Sequence, residues 1–265
     1  MNPVAVIIPA LNEAATIGAL VAGTRRQGVA WVVVADNGST DGTADAARAA
    51  GADVVAEPRR GYGYACAAGA ARALALGAAT LVFMDGDGSA RPEELPRLLA
   101  PLAAGTAGLV LGSRVRGGAE RGALAPHQRF GNALTAALMR RLYGLGVTDL
   151  GPYRAIRADL LGALDMREMT YGWPTEMTVK AARRGARVVE VPVTWANRRG
   201  GRSKVSGTLR GSMLAAVYIL GVTLRYARRE RGSRKGAKGL RRKGRKERSF
   251  FSSLCALATL RLCVS

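Results

Sequence analysis

Between Val4 and Met84, short apolar runs alternate with Ala-rich stretches of helical character, and this alternation narrows the possible folds more than any other feature of the chain. Val4 to Pro9, Trp31 to Ala35, Val54 to Ala56 and Leu81 to Met84 read as strands; Glu13 to Arg26, Thr43 to Ala50 and Tyr64 to Leu76 read as helices. A strand that is apolar without interruption is buried on both faces, and strands separated by helices pair in parallel. The pattern therefore implies an α/β domain with a mainly parallel central sheet and helices on both faces. Leu109-Val110-Leu111 continues the sheet after a helix opening near Pro92. Beyond Gly112 the rhythm changes to longer helices at Pro126 to Tyr143 and Pro174 to Arg184, with a strand at Arg187 to Val193.

Open sheets of this kind bind ligands beyond the carboxyl ends of their strands, and four loops fall there. Leu81-Val82-Phe83-Met84 runs directly into Asp85-Gly86-Asp87-Gly88-Ser89. In an extended segment residues i and i+2 project to the same side, so Asp85 and Asp87 can face one hard cation, which prefers oxygen ligands and bridges to phosphates. Gly86 keeps the approach open. Pro9-Ala10-Leu11-Asn12-Glu13, Asp36-Asn37-Gly38-Ser39-Thr40-Asp41-Gly42-Thr43 and Gly61-Tyr62-Gly63-Tyr64 complete the set. Asp36 and Asp41 can accept hydrogen bonds from a base or ribose, Gly38 and Gly42 allow close backbone approach, and Tyr62 or Tyr64 offers a stacking face. One such loop is ordinary turn chemistry, whereas four on one edge argue for a shared binding site. The first strand does not lead into Gly-x-Gly-x-x-Gly, which argues against a dinucleotide-binding oxidoreductase.

At 265 residues with 48% hydrophobic side chains, the chain can bury a core without covalent staples. Its three cysteines, Cys66, Cys255 and Cys263, have no paired spacing, which fits a reducing compartment. The start lacks the basic flank and longer apolar region of a signal peptide and reads as that of a cytoplasmic protein. The net charge of +21 is concentrated late: Arg225 to Arg248 holds thirteen Lys and Arg against Glu230 and Glu247. Such a segment suits an anionic membrane surface, or nucleic acid without specificity, and its composition predicts disorder. Just before it, Met213 to Leu224 is apolar but too short to span a bilayer, so it is read as a core helix or one lying in the membrane plane. The division expected is 1–211 as the catalytic domain, 212–227 as an apolar interfacial helix and 228–265 as a basic, disordered tail.

Taken in order, Val6-Ile7-Ile8-Pro9-Ala10-Leu11-Asn12-Glu13, Asp36 to Thr43, Asp85 to Ser89, Gly112-Ser113-Arg114, Gly131-Asn132, Thr148-Asp149-Leu150-Gly151-Pro152-Tyr153-Arg154 and Ser203-Lys204-Val205-Ser206-Gly207 resemble a family 2 glycosyltransferase. The likeness is nearest to the dolichyl- and polyprenyl-phosphate mannosyl- and glucosyltransferases and covers about Val4 to Tyr226. It implies the glycosyltransferase A-type, nucleotide-diphospho-sugar transferase fold. By that resemblance Pro9, Leu11, Glu13, Asp36 and Gly63 line the pocket of a UDP- or GDP-linked sugar. Asp85 lies near the ribose and metal, and Asp87 is the principal ligand of Mg2+ or Mn2+. Arg202 and Lys204, in a basic glycine-rich loop, would close over the diphosphate.

For the acceptor, Arg114, Arg129 and Arg154 carry guanidinium forks suited to a phosphate, beside Ser113, Asn132 and Trp173. A phosphate acceptor is largely ionised at neutral pH and needs no strong base. A sugar hydroxyl needs one, and Glu176 is the first candidate and Asp149 the second. The expectation is an inverting, metal-dependent transfer of a hexose to polyprenyl phosphate by a peripheral protein on the cytoplasmic membrane face. Transfer to a hydroxyl of a sugar, lipid or small metabolite is the alternative, and a nucleic-acid-binding protein the third reading, although no specific nucleic acid is expected.

Overall fold

The structure, a computed structural model, describes residues 2–120, 123, 126–198 and 217–227. Seven strands form one sheet in the order β3-β2-β1-β4-β6-β5-β7. The amino-terminal half is built from β1 (Val4–Ala10), β2 (Trp31–Asp36), β3 (Asp53–Ala56) and β4 (Thr80–Phe83), all parallel, with α1 (Ala14–Arg25), α2 (Thr43–Ala49) and α3 (Tyr62–Ala75) as crossovers. A 3-10 turn at Pro92–Glu94 leads into α4 (Leu95–Ala103), followed by β5 (Leu109–Ser113), α5 (Arg114–Gly117) and α6 (Pro126–Tyr143). The chain then runs through β6 (Arg154–Arg157), α7 (Ala158–Leu164), α8 (Trp173–Arg183) and β7 (Val188–Pro192).

Alternation along each strand divides the core between the two faces of the sheet. Ile7, Val33, Leu81, Phe83, Leu109 and Ile156 pack under α3, α7 and α8. Val6, Ile8, Val34, Val82, Val110 and Ala155 pack on the other side, against Ile17, Leu20 and Val21 of α1 and Leu95, Leu98 and Leu102 of α4. This three-layer arrangement is the expected α/β architecture.

β6, which pairs antiparallel with both β4 and β5, does not stand out as a strand in the sequence. Arginines occupy both of its ends, and only Ala155 and Ile156 look strand-like. After α5 and α6, the chain enters the sheet between β4 and β5 as β6, running opposite to both neighbours. The helix at 217–227 packs through Val222 and Tyr226 into the core beneath α8, and the compact unit runs to Ala227.

The chain leaves β1 toward β2 on one side and later returns to β4 on the other. Ala10 stands opposite Asp36, and the ladder to β4 continues as the Met84 N–H donates to Ile7 O at 3.0 Å. The carboxyl end of β1 therefore lies between the loops that carry Asp36 and Asp85, which is the switch point where a crevice opens in such sheets.

Candidate active site

Four polar loops, after β1, β2, β3 and β4, are tied together at that crevice by side chains that substitute for missing backbone partners. The α1 start is served from the neighbouring loop: Thr43 Oγ1 accepts the Glu13 N–H at 2.8 Å, and Asp41 Oδ2 accepts the Ala14 N–H at 3.1 Å. Asn37 fixes the next loop by donating to the carbonyls of Glu57 and Arg59 and accepting the Gly61 N–H at 2.9 Å. Thr16 Oγ1 donates to Gly86 O at 2.8 Å, which anchors the Asp85-Gly86-Asp87 turn to α1.

Asp85 and Asp87 emerge together from the end of β4. The Tyr62 hydroxyl donates to Asp85 Oδ1 at 3.1 Å. Burial, and then the charge of Asp87, pushes the Asp85 carboxyl up to about 7. Burial and the Asp85 carboxylate likewise hold the Tyr62 phenol well above its ordinary value, so it remains a donor. Asp87 Oδ1 accepts the Ser89 N–H at 3.0 Å, while Oδ2 faces Arg198 Nη2 at 3.1 Å. The same guanidinium reaches Glu13 Oε1 through Nη1 at 3.1 Å, so one cation bridges the two loops. This is a hard-oxygen environment that already holds a positive group, and it suits a divalent ion. No cluster of three or more His, Cys, Asp or Glu exists among the described residues, so such an ion would need further oxygen ligands from substrate or water.

Beside these carboxylates, Arg114 is clamped by Asp149, with Nε to Oδ2 and Nη2 to Oδ1 both at 2.7 Å and the Arg114 N–H to Oδ2 at 2.9 Å. Its guanidinium lies over the Trp195 ring, 5.2 Å from the centroid. Glu190 accepts from the N–H groups of Thr148 and Asp149, which fixes Asp149 in turn. Ser113 Oγ is buried, shares a hydrogen bond with Thr148 and caps α5 by accepting the Arg116 N–H.

Not every residue expected in the site opens onto it. Asp41 commits both oxygens to helix starts: Oδ1 accepts from Thr43 and Oδ2 from Ala14, and these hydrogen bonds hold its carboxyl below the usual range against the desolvation that would raise it. Gly63 faces protein, since a Cβ there would lie 2.4 Å from Met169 Cα. Arg154 is 1% exposed, its guanidinium held by the carbonyls of Leu150, Gly151 and Pro174 and by Thr178 Oγ1, and burial lowers it to about 10. It cannot meet an acceptor from there. Trp173 packs on Phe83 in the core. Glu176 is 1% exposed with both oxygens engaged, and Asp149 is fully buried in its ion pair. Neither is placed as a general base.

Pro9 and Leu11 lie at the end of β1, and Asp36 Oδ1 accepts the Ser39 N–H at 3.1 Å, close to Gly38. Arg129 and Asn132 sit on α6, with Arg129 exposed. Arg202 and Lys204 lie outside the described residues, as do Ser203 to Gly207 and the tail 228–265. Asn37, Glu190, Trp195 and Arg198 take structural parts in the site that the sequence alone does not mark, apart from the place of Arg198 at the head of the basic Arg198 to Lys204 loop.

The glycosyl transferase family 2 profile matches residues 5–164, more than half of the chain. The chain belongs to that family. It is 37% identical over 232 residues to the undecaprenyl-phosphate mannosyltransferase of Micrococcus luteus, which covers 83% of this chain and 94% of that protein. It is 38% identical over 217 residues to the polyprenol monophosphomannose synthase of Mycolicibacterium smegmatis, covering 77% and 81%. Among solved structures it resembles glucosyl-3-phosphoglycerate synthase from Mycobacterium tuberculosis in complex with Mn2+, UDP and glucosyl-3-phosphoglycerate. The TM-score is 0.68 at 25% identity, over 85% of this chain and 80% of that one. This family 2 glycosyltransferase is thus an enzyme with the glycosyltransferase A-type fold.

Proposed function

We propose that this family 2 glycosyltransferase moves a hexosyl group, with inversion, from a UDP- or GDP-linked sugar to a polyprenyl phosphate at the cytoplasmic face of a membrane. The observation that carries the choice of acceptor is that Glu176 and Asp149, the two candidate bases, are both buried and engaged. An ionised phosphate attacks without giving up a proton, whereas a hydroxyl needs a base to take one. The names of the curated relatives favour the same acceptor.

On this reading Asp36 and the backbone around Gly38 receive the nucleoside, and Asp85 and Asp87 would hold Mg2+ or Mn2+ beside the diphosphate. When bound, the cation would supply charge stabilisation to the leaving nucleoside diphosphate. Arg198 occupies Asp87 until the donor arrives, and then its charge is available to the diphosphate. Asp149 aims Arg114, whose Nη1 has no hydrogen bond among the described residues, so that it can accept an anionic oxygen of the acceptor. Arg202 and Lys204 would close over the same site.

Membrane attachment rests on α6, where Phe130 is 72% and Leu134 41% exposed, with Arg129, Arg140 and Arg141 at its two ends. An apolar stripe bounded by arginines suits the interface of an anionic bilayer. Val217 and Leu224 of the helix at 217–227 are exposed as well. No helix of the described residues is long and apolar enough to cross a membrane.

The test is a transfer assay with radiolabelled UDP- and GDP-hexoses against polyprenyl phosphate, the corresponding polyprenol and 3-phosphoglycerate, each with Mg2+ or Mn2+. Glycosylated polyprenyl phosphate is the expected product. Transfer to either of the other acceptors with none to polyprenyl phosphate would refute the reading.

A further inference from the structure

Glu176 is buried on α8 and accepts from four donors. Oε2 takes the N–H groups of Arg167 and Glu168 at 2.9 and 2.7 Å, and Oε1 takes the Tyr226 hydroxyl at 2.5 Å and Lys180 Nζ at 2.8 Å. Burial acts to raise its carboxyl, but the hydrogen bonds from Lys180, Tyr226 and the two backbone groups outweigh this and hold it below the usual range. The stretch between α7 and α8 that it grips has no regular structure of its own.

That stretch lies directly against the turn opening α3. The Gly63 N–H donates to Met169 O at 3.1 Å, and the Tyr62 and Tyr171 rings stack with centroids 6.5 Å apart. The fit leaves no space for side chains. A Cβ on Gly61, where φ is +150°, would lie 2.6 Å from Met169 O, and one on Gly63 would lie 2.4 Å from Met169 Cα. Between those glycines, Tyr62 extends its hydroxyl to Asp85. A continuous string of contacts therefore runs from Tyr226, near the end of the helix at 217–227, through Glu176 and Met169 to Tyr62 and Asp85.

We infer that Glu176, latched by Tyr226, is a positioning residue for the nucleotide end of the site: it presses residues 165–171 against Gly61–Gly63 and thereby sets Tyr62 beside Asp85. In this role it touches no reacting group. The helix at 217–227 becomes part of the support of the donor pocket, although it lies outside the strands and loops that form that pocket. The inference rests on the glycosyl-transfer reading and adds to it a residue and a helix.

The experiment titrates GDP–Mn2+ and UDP–Mn2+ into the full-length chain by calorimetry. Wild-type binding of one nucleotide is the control, and binding of neither would overturn the transferase reading itself. With that control in place, Glu176→Ala is expected to raise the Kd about tenfold, a loss of pre-organisation. Glu176→Gln, whose amide oxygen can accept both backbone N–H groups, is expected to stay within about threefold. Tyr226→Phe should weaken binding alone and add little in the Glu176→Ala background, as coupled groups do. Gly63→Ala, which displaces Met169 with the latch intact, should reproduce the loss. Unchanged Kd in both Tyr226→Phe and Gly63→Ala would overturn the inference even if Glu176→Ala failed to fold. So would a loss of about 10²-fold in turnover for Glu176→Gln at unchanged Kd, which would mark a base instead.

Discussion

Tyr62 and Asp85 share a hydrogen bond of 3.1 Å at the point where the loop before α3 meets the end of β4. The phenol is one of the groups that oppose the rise in the Asp85 carboxyl caused by burial and by Asp87. Tyr62→Phe should therefore raise the Asp85 pKa further and weaken Mn2+ binding most at lower pH. A Mn2+ titration at pH 6 and pH 8 checks this, and equal losses at both values would count against it.

Asp85 should oppose stability when no cation is bound. Its carboxyl lies at about 7 in the fold, against an ordinary value of 3.8. Below 3.8 both the folded and unfolded states hold the proton, and no cost arises. As the pH rises toward 7 the unfolded chain releases the proton first, and the fold loses up to about 1.4 kcal/mol per unit. In chelator, Asp85→Asn should therefore melt increasingly above wild type as pH goes from 5 to 7, with the gap levelling off beyond it. A constant gap between the two melting curves would refute this assignment.

Asp87→Ala should abolish transfer with Mg2+ or Mn2+ while leaving the fold intact, as judged by circular dichroism. Its carboxylate stands at the surface of the crevice and supports only the Ser89 turn and Arg198. Retention of full activity would remove it from the metal assignment.

Asp149→Asn keeps the shape of the Arg114 clamp but removes its charge. Truncating one partner of a buried, hydrogen-bonded pair costs roughly 3–5 kcal/mol when the other charge is left behind, and the retained amide should reduce that cost. The expected result is a rise in acceptor KM of about tenfold or more with donor KM little changed, since the arginine it aims is the one proposed to meet the acceptor. A reversed pattern, with donor KM moving alone, would assign Arg114 to the donor.

Phe130→Glu, at the more exposed of the two large hydrophobic positions given for α6, should reduce co-sedimentation with anionic vesicles and leave nucleotide–Mn2+ binding intact. Unchanged vesicle binding would direct attention away from α6.

The parallel strands were readable because Val6-Ile7-Ile8, Val32-Val33-Val34 and Leu81-Val82-Phe83 are buried on both faces and so carry no polar alternation. Arg154 concealed β6, because a charged residue that is buried against carbonyl oxygens is indistinguishable in sequence from one in water. The loops at the carboxyl ends of β1, β2 and β4 were readable for a topological reason, which places them together whatever their composition. What each polar residue does there was less legible. Asp41 looks like a ribose acceptor until Ala14 and Thr43 are seen to use it. Glu176 looks like a base until Tyr226, fifty residues later, is found on its oxygen. Its pairing with Lys180 at i+4 on one helix was the one clue within reach.

Arg198 gives the crevice a counterion that belongs to the chain itself. On the proposed metal site, an ion arriving alone would have to displace a tethered guanidinium from Asp87, leaving it the contact with Glu13. A metal ion that arrives with a diphosphate brings the displaced cation a new anion. On that reading the pocket would favour an ion that comes with a sugar nucleotide over a bare one.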